Sequence, residues 1–415
     1  MNINLFIAKT LWRKDESRNN AYSGSSTLIA QLSVVISFFI IILSIAITDG
    51  FKHEIKSKAS GFCGDILLKS PGVEYNSNLY PISGDLSFSN DILAIPEVRS
   101  MTGYAYRSGM IRFNDQIQGV IIKGVDADYN RDFYKKIISE GDIIDFSDST
   151  ESNSIMLSSR LADMMGFKVG DTVPVYFIDK SVRVSEFKVK GIFDAQLEQI
   201  DETLIIAHIN EVQRLNGWSS DQVSGLELQL EAGSDRKLVA ERIEKIIFEN
   251  GSNKDSQLEV LTVDELFPHL FDWLRLLDFN VLIVLVLMMI VAGFNMLSGL
   301  LILLFEKISV IGLFKALGMK NMDIHGIFLF KGLNIVFKGM VLGNLLAFAV
   351  GLMQKYFHIV KLDPVNYFVK YVPIHFNAVT IILVDIVSLV VIMLLMILPS
   401  LFVAKVSPDR LIRVK

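Results

Sequence analysis

Four long apolar stretches stand out from the mixed pattern of hydrophobic and polar positions along this chain. They cover residues 27–48, 279–305, 324–353 and 378–404. A hydrocarbon core of about 30 Å takes roughly 20 helical residues, so each stretch is long enough to cross a membrane. The first is longer than the apolar part of a secretion signal, and we expect it to remain as an anchor. The pattern therefore predicts an α-helical membrane protein with four transmembrane helices.

Residues 49–277, between the first two spans, show short apolar runs broken by Gly, Pro, Asn and Asp. Such runs are typical of strands, and apolar residues at helical spacing indicate a few helices between them. Strands are predicted at residues 65–70, 110–114, 119–125, 172–178, 184–193, 202–207 and 224–230, and helices at 158–165, 209–215 and 235–248. Residues 76–88, rich in Ser and Asn, are predicted to be a surface connection. The pattern predicts a large α+β domain inserted between transmembrane helices 1 and 2.

The second span is predicted to continue on its N-terminal side as a stalk helix, because apolar positions repeat along one side of the preceding segment. These positions are Leu266, Leu270, Trp273, Leu274 and Leu277. Thr262 and Glu265 have the spacing of a capping box at its start. Pro268 either kinks this helix or lies in its first turn.

Basic residues flank the outer two spans and predict the orientation of the chain. They are Lys9, Arg13, Lys14, Arg18, Lys405, Arg410, Arg413 and Lys415. The positive-inside bias places both termini in the cytoplasm, with residues 1–26 forming an amphipathic interfacial helix and residues 405–415 a tail. Residues 49–277 and the loop 354–377 then lie outside the cytoplasm, and the loop 306–323 lies inside.

Composition and motifs argue against catalysis by this chain. It is 51% hydrophobic with a mean hydropathy of +0.43, too apolar for a soluble protein, and its net charge of -5 does not favour nucleic-acid binding. Cys63 is the only cysteine, so no intramolecular disulfide forms. The sequence lacks GxxxxGK[ST], HExxH and GxSxG. We therefore expect no catalytic, cofactor-binding or metal-binding residues, and any ATP dependence must come from another subunit.

Polar and small residues inside the spans suggest helix contacts. Lys338 and Asp385 lie at similar predicted depths and are candidates for an intramembrane ion pair; the alternative is separate solvation in an aqueous crevice. Gly339 and Gly343 form a small-xxx-small step where another helix could approach closely.

The loop at residues 306–323 has the spacing of a short amphipathic helix between two spans. Ile308, Ile311 and Lys315 fall on adjacent turns, and Gly312 and Gly318 add small residues nearby. Such a helix suits docking of a soluble cytoplasmic partner, and the alternative is a simple connector.

At this point the sequence resembles the permease subunits of lipoprotein-releasing ABC transporters, the LolC/LolE family, within the MacB and FtsX type. The family's signature after span two falls on Glu306, Lys307, Ile311, Gly312, Ala316, Leu317 and Gly318. The resemblance covers nearly the whole chain, including ITDGFKHEI after span one, VSGLELQL in the outer domain and LDPVNYFVKYVPIHF before span four. Two features depart from the family: Val310 replaces a common acidic residue, and FIDKSVRVSEF is shorter than the LolC hook that receives a periplasmic chaperone.

The resemblance implies a MacB-like periplasmic core domain and residence in the bacterial inner membrane. It implies a separate cytoplasmic ATPase that binds ATP and magnesium, a second permease of the same or a homologous chain, a lipid-anchored lipoprotein as substrate, and a periplasmic lipoprotein chaperone as a further partner. The residues expected to couple to the ATPase are Glu306, Lys307, Ile311, Gly312, Lys315, Ala316, Leu317 and Gly318. The residues expected to line an acyl-chain groove are Phe38, Phe39, Ile42, Leu282, Leu285 and Met289, with lipid-facing or helix-packing roles as the alternative.

Three other functions remain open at this point. A MacB-like efflux permease would export peptides or small molecules, and an FtsX-like module would transmit a mechanical signal without transport. A membrane-tethered enzyme is disfavoured by the missing catalytic motifs.

Overall fold

The computed structural model describes residues 21–74, 76–113, 116–127, 129–146, 151–178, 182–250 and 258–404, with the backbone alone at 21–27, 113, 198–199, 365 and 398–404. The interfacial helix expected at residues 1–26 falls outside this description up to Asn20, and the expected tail at 405–415 falls wholly outside it.

The described residues form thirteen helices and twelve strands. The helices are α1 (Ala21–Cys63), α2 (Ser89–Leu93), α3 (Arg131–Ile137), α4 (Ser159–Met165), α5 (Glu198–Asp201), α6 (Ile209–Asn216), α7 (Arg236–Asn250), α8 (Val263–Leu266), α9 (Pro268–Glu306), α10 (Ile308–Ala316), α11 (Asn321–Phe357), α12 (Pro364–Tyr367) and α13 (Ala378–Ala404). The strands are β1 (Ile66–Lys69), β2 (Ile82–Ser83), β3 (Val98–Phe113), β4 (Gln116–Val125), β5 (Ile138–Gly141), β6 (Ser154–Ser158), β7 (Thr172–Ile178), β8 (Val182–Phe193), β9 (Leu204–His208), β10 (Gln222–Val223), β11 (Gly225–Leu230) and β12 (Glu259–Thr262).

The chain folds into two compact units. The helical unit contains the described residues of 21–53, 273–361 and 371–404, and the mixed unit contains those of 54–272 and 362–370. The long helices α1 and α9 contribute residues to both units, and so does the connection between α11 and α13.

Four described helices, α1, α9, α11 and α13, are long and apolar enough to cross a membrane, judged by length and composition. They coincide with the four predicted stretches, but α1 runs on to Cys63 because the sequence after residue 48 keeps apolar residues at helical spacing. Helix α9 begins at Pro268, one of the two predicted arrangements, because a proline at the first helical position lacks only an N–H that would have no partner. The predicted capping box is present, with the Thr262 N–H donating to Glu265 Oε2 at 2.8 Å, but it caps the separate short helix α8.

The mixed unit is built on one ten-stranded sheet. Its order is β12-β1-β11-β3-β4-β9-β6-β8-β5, and β7 pairs with β3 and β8. Most neighbours are antiparallel, whereas β4 with β9 and β6 with β8 are parallel. Two apolar clusters form the core of this unit. One includes the strand residues Ile122, Val175 and Leu228, and the other includes Tyr104 and Phe193 of the strands together with Phe62 near the end of α1.

All seven predicted strands and three predicted helices of this unit are present, with ends shifted by a few residues or, for β3, by more. The sequence prediction missed β2, β5, β6, β10 and β12, and it found only the end of β3. Tyr104 to Arg107 in β3 are buried on both faces, which removes the alternation that marks a strand. The surface connection predicted at 76–88 is wrong in part, because Leu86 and Phe88 lie in the core and β2 pairs with β10.

Candidate coupling and transport sites

Helix α10 divides the predicted coupling residues into an inner and an outer set. Ile311 and Gly312 are buried, and Ile311 packs with Leu304, Ile324 and Phe328 at the adjoining ends of α9 and α11. Glu306, Ala316, Leu317 and Gly318 are exposed, while Lys307 and Lys315 are half-buried. Gly318 has φ of +85°, a left-handed conformation that suits glycine after the helix end. The inner set therefore attaches α10 to the bundle and the outer set faces away from it.

Three apolar side chains in this part of the chain, one of them Leu317 of the outer set, are strongly exposed. Leu313 is 59%, Leu317 76% and Met322 80% accessible. Leu313 and Leu317 are four residues apart, which places them on adjacent turns of α10 and its end. We call Leu313, Leu317 and Met322 the coupling surface. Sequence reasoning named Leu317 but missed Leu313 and Met322, although the i, i+4 spacing was available to find Leu313.

The predicted glycine step lies where α1 meets α11. A Cβ on Gly339 would approach Val34 Cγ1 to 2.7 Å, and a Cβ on Gly343 would approach the backbone oxygen of Val35 to 2.6 Å. A third glycine, Gly299 of α9, faces Ala30 of α1 in the same way. These glycines let the helices come closer than any side chain would allow, as is usual in membrane bundles.

The predicted acyl-chain groove is not formed as a single surface by this chain. Phe38, Ile42 and Met289 are buried among the helices, whereas Phe39 and Leu285 are half-buried and Leu282 is 55% exposed. Phe38 is held inside by the close approach of Gly343. The groove prediction is therefore wrong for the buried three, which pack helices together. An exposed apolar face of α9 remains, formed by Phe279, Leu282, Ile283, Val286, Leu287, Ile290 and Phe294.

The predicted ion pair between Lys338 and Asp385 is not formed, although both residues lie in the described part of the chain. Asp385 Oδ2 instead accepts a hydrogen bond from Asn344 Nδ2 at 2.7 Å, and the Lys338 side chain is exposed. Six residues separate Lys338 from Asn344, and at about 100° per residue this places them roughly 120° apart around α11. At 1.5 Å per residue the two residues also lie about 9 Å apart along α11, so neither the depth nor the helix face of the partner of Asp385 was predicted correctly.

Among the described residues, no group of three or more His, Cys, Asp or Glu side chains is arranged to hold a metal ion. The buried Cys63 thiol forms no disulfide.

Two family models match this sequence: the MacB-like periplasmic core domain over residues 27–246, and the FtsX-like permease C-terminal region over residues 282–408. The first alone covers more than half of the 415 residues. The chain belongs to the ABC-transporter permeases of the MacB and FtsX type. It is a membrane protein with a MacB-like periplasmic domain, as its resemblance implied.

The permease also matches full-length relatives of the LolC/LolE branch. It is 24% identical to the lipoprotein-releasing system transmembrane protein LolC of Neisseria meningitidis, over 95% of this chain and 96% of that protein. It is 21% identical to LolC of Buchnera aphidicola, over 93% and 92%. It is 19% identical to LolE of Haemophilus influenzae, over 85% and 83%. These likenesses confirm the resemblance to the LolC/LolE-type permeases.

The periplasmic domain of the permease contains a buried ion pair that sequence reasoning missed. Lys123 on β4 is completely buried, and its Nζ lies 2.5 Å from Glu227 Oε1 on β11 and 2.6 Å from the Tyr129 hydroxyl. The ammonium also donates to the backbone oxygen of Phe62, in the last turn of α1. Lys123 therefore satisfies a terminal carbonyl of α1 that has no partner within the helix, and it joins the end of α1 to the central strands.

The environment of this pair is strongly desolvated. Burial raises the pKa of Glu227, although the Lys123 charge and its hydrogen bond act in the opposite direction. Burial likewise raises the pKa of the Tyr129 hydroxyl well above its usual range. Lys123 also lies over the rings of Tyr104 and Tyr129, with the centroids 5.4 and 4.8 Å from Nζ, and such contacts stabilise a desolvated cation.

A second buried lysine holds the permease segment 362–370 against the rest of the mixed unit. Lys58 Nζ donates to Gln196 Oε1 at 2.6 Å and to the backbone oxygen of Phe368 at 3.1 Å. Gln196 and Phe368 both have positive φ, 57° and 60°, a strained conformation for residues other than glycine. Lys370 forms an ion pair with Asp194 nearby. Lys58 thus joins α1 to two strained loop positions distant in sequence.

Replacing Lys58 with methionine is expected to release this segment. The two oxygens that accept from Nζ would lose their donor, at a cost of about 1–3 kcal/mol. Amide hydrogen exchange at residues 362–370 should become roughly ten- to a hundredfold faster if the opening is local. Lys237→Met, at an exposed lysine of the same unit, should leave this exchange unchanged. Equal protection in both variants would show that Lys58 does not hold the segment.

Proposed function

We propose that this chain is the transmembrane permease subunit of an ABC transporter that extracts lipid-anchored lipoproteins from the inner membrane for delivery to the outer membrane. The observation that carries the proposal is the combination of a MacB-like periplasmic domain and an FtsX-like permease region, matched along nearly the full length of LolC relatives. A separate cytoplasmic ATPase drives the extraction, and a second permease, identical or homologous, completes the membrane part.

The proposed topology has α1, α9, α11 and α13 all crossing the membrane, with the periplasmic domain inserted between the first two and both termini in the cytoplasm. The length and composition of the four helices support the count. The basic residues at both chain ends support the orientation. This topology places the coupling surface in the cytoplasm, within reach of an ATPase.

The energetics of the proposed substrate require both a motor and an apolar path. Each acyl CH₂ buried in the bilayer contributes about 0.8 kcal/mol, so a lipid anchor with several chains does not leave spontaneously. ATP and magnesium bound by the partner supply the work. The exposed apolar face of α9 replaces the predicted groove as the surface offered to acyl chains, with the second permease on its other side.

Delivery to a periplasmic chaperone is proposed for the complex rather than for this chain alone. Strands β7 and β8 are separated by residues 179–181 only, and Ile178 already pairs with Val182. This short hairpin lacks the length of the LolC hook, so we place direct chaperone contact on another subunit.

The substitution Leu317→Glu is expected to abolish co-purification of the ATPase subunit while leaving the permease folded. A charge placed at the centre of an apolar docking surface must lose its water when the partner binds, which weakens binding. Because Leu317 is 76% exposed, its replacement disturbs no core packing. The measurement is the amount of ATPase recovered with tagged permease from mild detergent. Leu79→Glu is the matched control, because Leu79 is 72% exposed in the periplasmic domain. Recovery of the ATPase at normal levels with Leu317→Glu would contradict the coupling role.

The transport function itself is tested by depleting the permease and following lipoproteins between the two membranes. Lipoproteins destined for the outer membrane should accumulate in the inner membrane, and Leu317→Glu should fail to correct this. Normal delivery during depletion would exclude lipoprotein release. Loss of export of a small molecule or peptide would then favour a MacB-like efflux function, and failure to activate a periplasmic hydrolase would favour an FtsX-like one.

A further inference from the structure

Three polar side chains on α11 and α13 have buried atoms without a hydrogen-bond partner among the described residues. Asn344 of α11 donates through Nδ2 to Asp385 Oδ2 of α13 at 2.7 Å. Asn344 Oδ1, Asp385 Oδ1 and Ser388 Oγ are buried, and none of them has a hydrogen-bond partner among the described residues. Ser388 is completely buried, and it follows Asp385 by three residues, so both lie on one face of α13. The chain therefore directs three unsatisfied polar atoms into one region between two helices.

The surroundings of this group are apolar. A cluster containing Ile381, Ala347, Phe348, Val384 and Val391 lies along the same parts of α11 and α13. Asp385 lies about two helical turns after the first residue of α13, within the helix rather than at its end. Polar side chains at such a depth are costly in a membrane protein and usually mark a site.

No cation among the described residues balances the Asp385 carboxylate. Charged or titratable side chains elsewhere in the helical unit include Asp49, Lys52, His53, Asp278, His375 and Lys338. Lys52 is paired with Asp278, and the His375 ring is stacked on His53. Lys338 is exposed on another face of α11. In the described structure none of these groups bonds to Asp385, whose hydrogen-bond partner there is the neutral amide of Asn344.

We propose that Asn344, Asp385 and Ser388 form a proton-binding site inside the transmembrane bundle, with one water molecule joining the three side chains. The Asp385 carboxyl takes a proton from the aqueous phase and becomes neutral, and its O–H donates to the water. The water then donates one hydrogen to Asn344 Oδ1 and the other to Ser388 Oγ. This arrangement gives a partner to each unsatisfied atom and leaves no charge uncompensated. A water with three polar partners is typical of buried water in proteins. The site does not depend on which substrate the permease carries.

Infrared spectroscopy of the full-length protein in lipid nanodiscs at neutral pH tests the proton. The wild type should show a carbonyl band of a protonated carboxylic acid, separate from the amide bands and shifted in heavy water. This band should be lost in Asp385→Asn, which keeps the shape of the neutral acid. Asp278→Asn is the control, because Asp278 is half-exposed and paired with Lys52, and it should leave the band in place. A spectrum with no band that depends on Asp385 would overturn the proposal.

Removal of the other two side chains tests the shared water. Ser388→Ala and Asn344→Leu each delete one acceptor of the water, so the Asp385 carbonyl band should move in frequency in both variants. Thr380→Val is the matched control, because it removes a half-buried hydroxyl from the same helix without changing the size of the side chain. Thr380 precedes Asp385 by five residues, which places it roughly 140° away around α13, so the band should not move. A band that stays at the wild-type frequency in both Ser388→Ala and Asn344→Leu would overturn the three-residue site.

Discussion

The substitution Lys123→Met is expected to destabilise the periplasmic domain by about 3–5 kcal/mol, because it leaves the Glu227 carboxylate buried without its partner. It also removes one of the two donors to the Phe62 carbonyl at the end of α1, the other being the Tyr129 hydroxyl at 2.9 Å. Glu227 is 1% exposed, so water cannot replace the ammonium without opening the core. The loss of stability is measured by thermal unfolding of the full-length protein in detergent, followed by the near-ultraviolet circular dichroism of the periplasmic tyrosines.

The pH dependence of this variant identifies the cause. Burial already raises the pKa of Glu227, and removing Lys123 removes the charge that lowers it, so the pKa in the folded variant rises further. A carboxyl whose folded pKa lies above its unfolded pKa stabilises the protein at low pH and loses that contribution as pH rises through the folded value. The deficit of Lys123→Met should therefore shrink as the pH falls. A deficit that stays constant with pH would point to lost packing alone.

Two further variants distinguish the loss of the Lys123–Glu227 ion pair from a general effect of removing a lysine. Lys123→Met combined with Glu227→Leu should recover most of the stability, since a buried ion pair can often be replaced by apolar side chains of similar volume. Lys135→Met, at an exposed lysine 3.7 Å from Asp132, should cost less than about 1 kcal/mol. If the double variant is no more stable than Lys123→Met, the unpaired carboxylate is not the source of the loss.

The substitution Gly343→Leu is expected to disrupt the transmembrane bundle. Even the first carbon of the new side chain would lie 2.6 Å from the Val35 backbone oxygen and 2.8 Å from Phe38 Cβ, so α1 and α11 must move apart. Backbone atoms cannot yield as a flexible side chain can, and overpacking of this kind costs roughly 1–3 kcal/mol or more. A fall in melting temperature on the order of 10 °C, with loss of monodisperse protein in size-exclusion chromatography, is the expected result.

Gly326→Leu provides the matched control within the same helix. A Cβ on Gly326 meets nothing within 4 Å, and leucine favours a helix over glycine by somewhat less than about 1 kcal/mol. Gly326→Leu should therefore be as stable as the wild type or slightly more stable. Equal stability of Gly343→Leu and Gly326→Leu would show that α1 and α11 do not depend on the close approach at Gly343.

Local pattern was sufficient to predict much of the architecture. A helix pairs its own backbone N–H and C=O groups, so an unbroken apolar run of sufficient length can lie in a membrane without help from other segments. The four long helices could therefore be predicted from residue order alone. The glycine step at Gly339 and Gly343 was likewise predicted, because two small residues four positions apart allow another helix to approach closely, whichever helix that is. Strand β8 was found because buried Phe187 and Val189 alternate with Lys188 and Lys190, and β7 because it is rich in β-branched and aromatic residues.

Strand β3 and the groove residues show where local pattern failed. Residues of β3 that are buried on both faces lose the alternation that marks a strand. Phe38 and Ile42 resemble lipid-facing residues in the sequence, and only the packing of α11 against α1 places them inside. The same holds for Asp385, whose partner is decided by both the level and the face at which α11 meets α13.

The sequence by itself determined that this protein has four membrane-length helices, a mixed domain encoded between the first two, and a short helix after the second, because each depends on residues close together in the chain. Only the tertiary structure decided that Lys123 meets Glu227, 104 residues away in sequence, and that Lys58 meets the backbone of Phe368, 310 residues away. Pairings at such distances depend on how helices and strands pack, and no local periodicity records which side chains will be brought together.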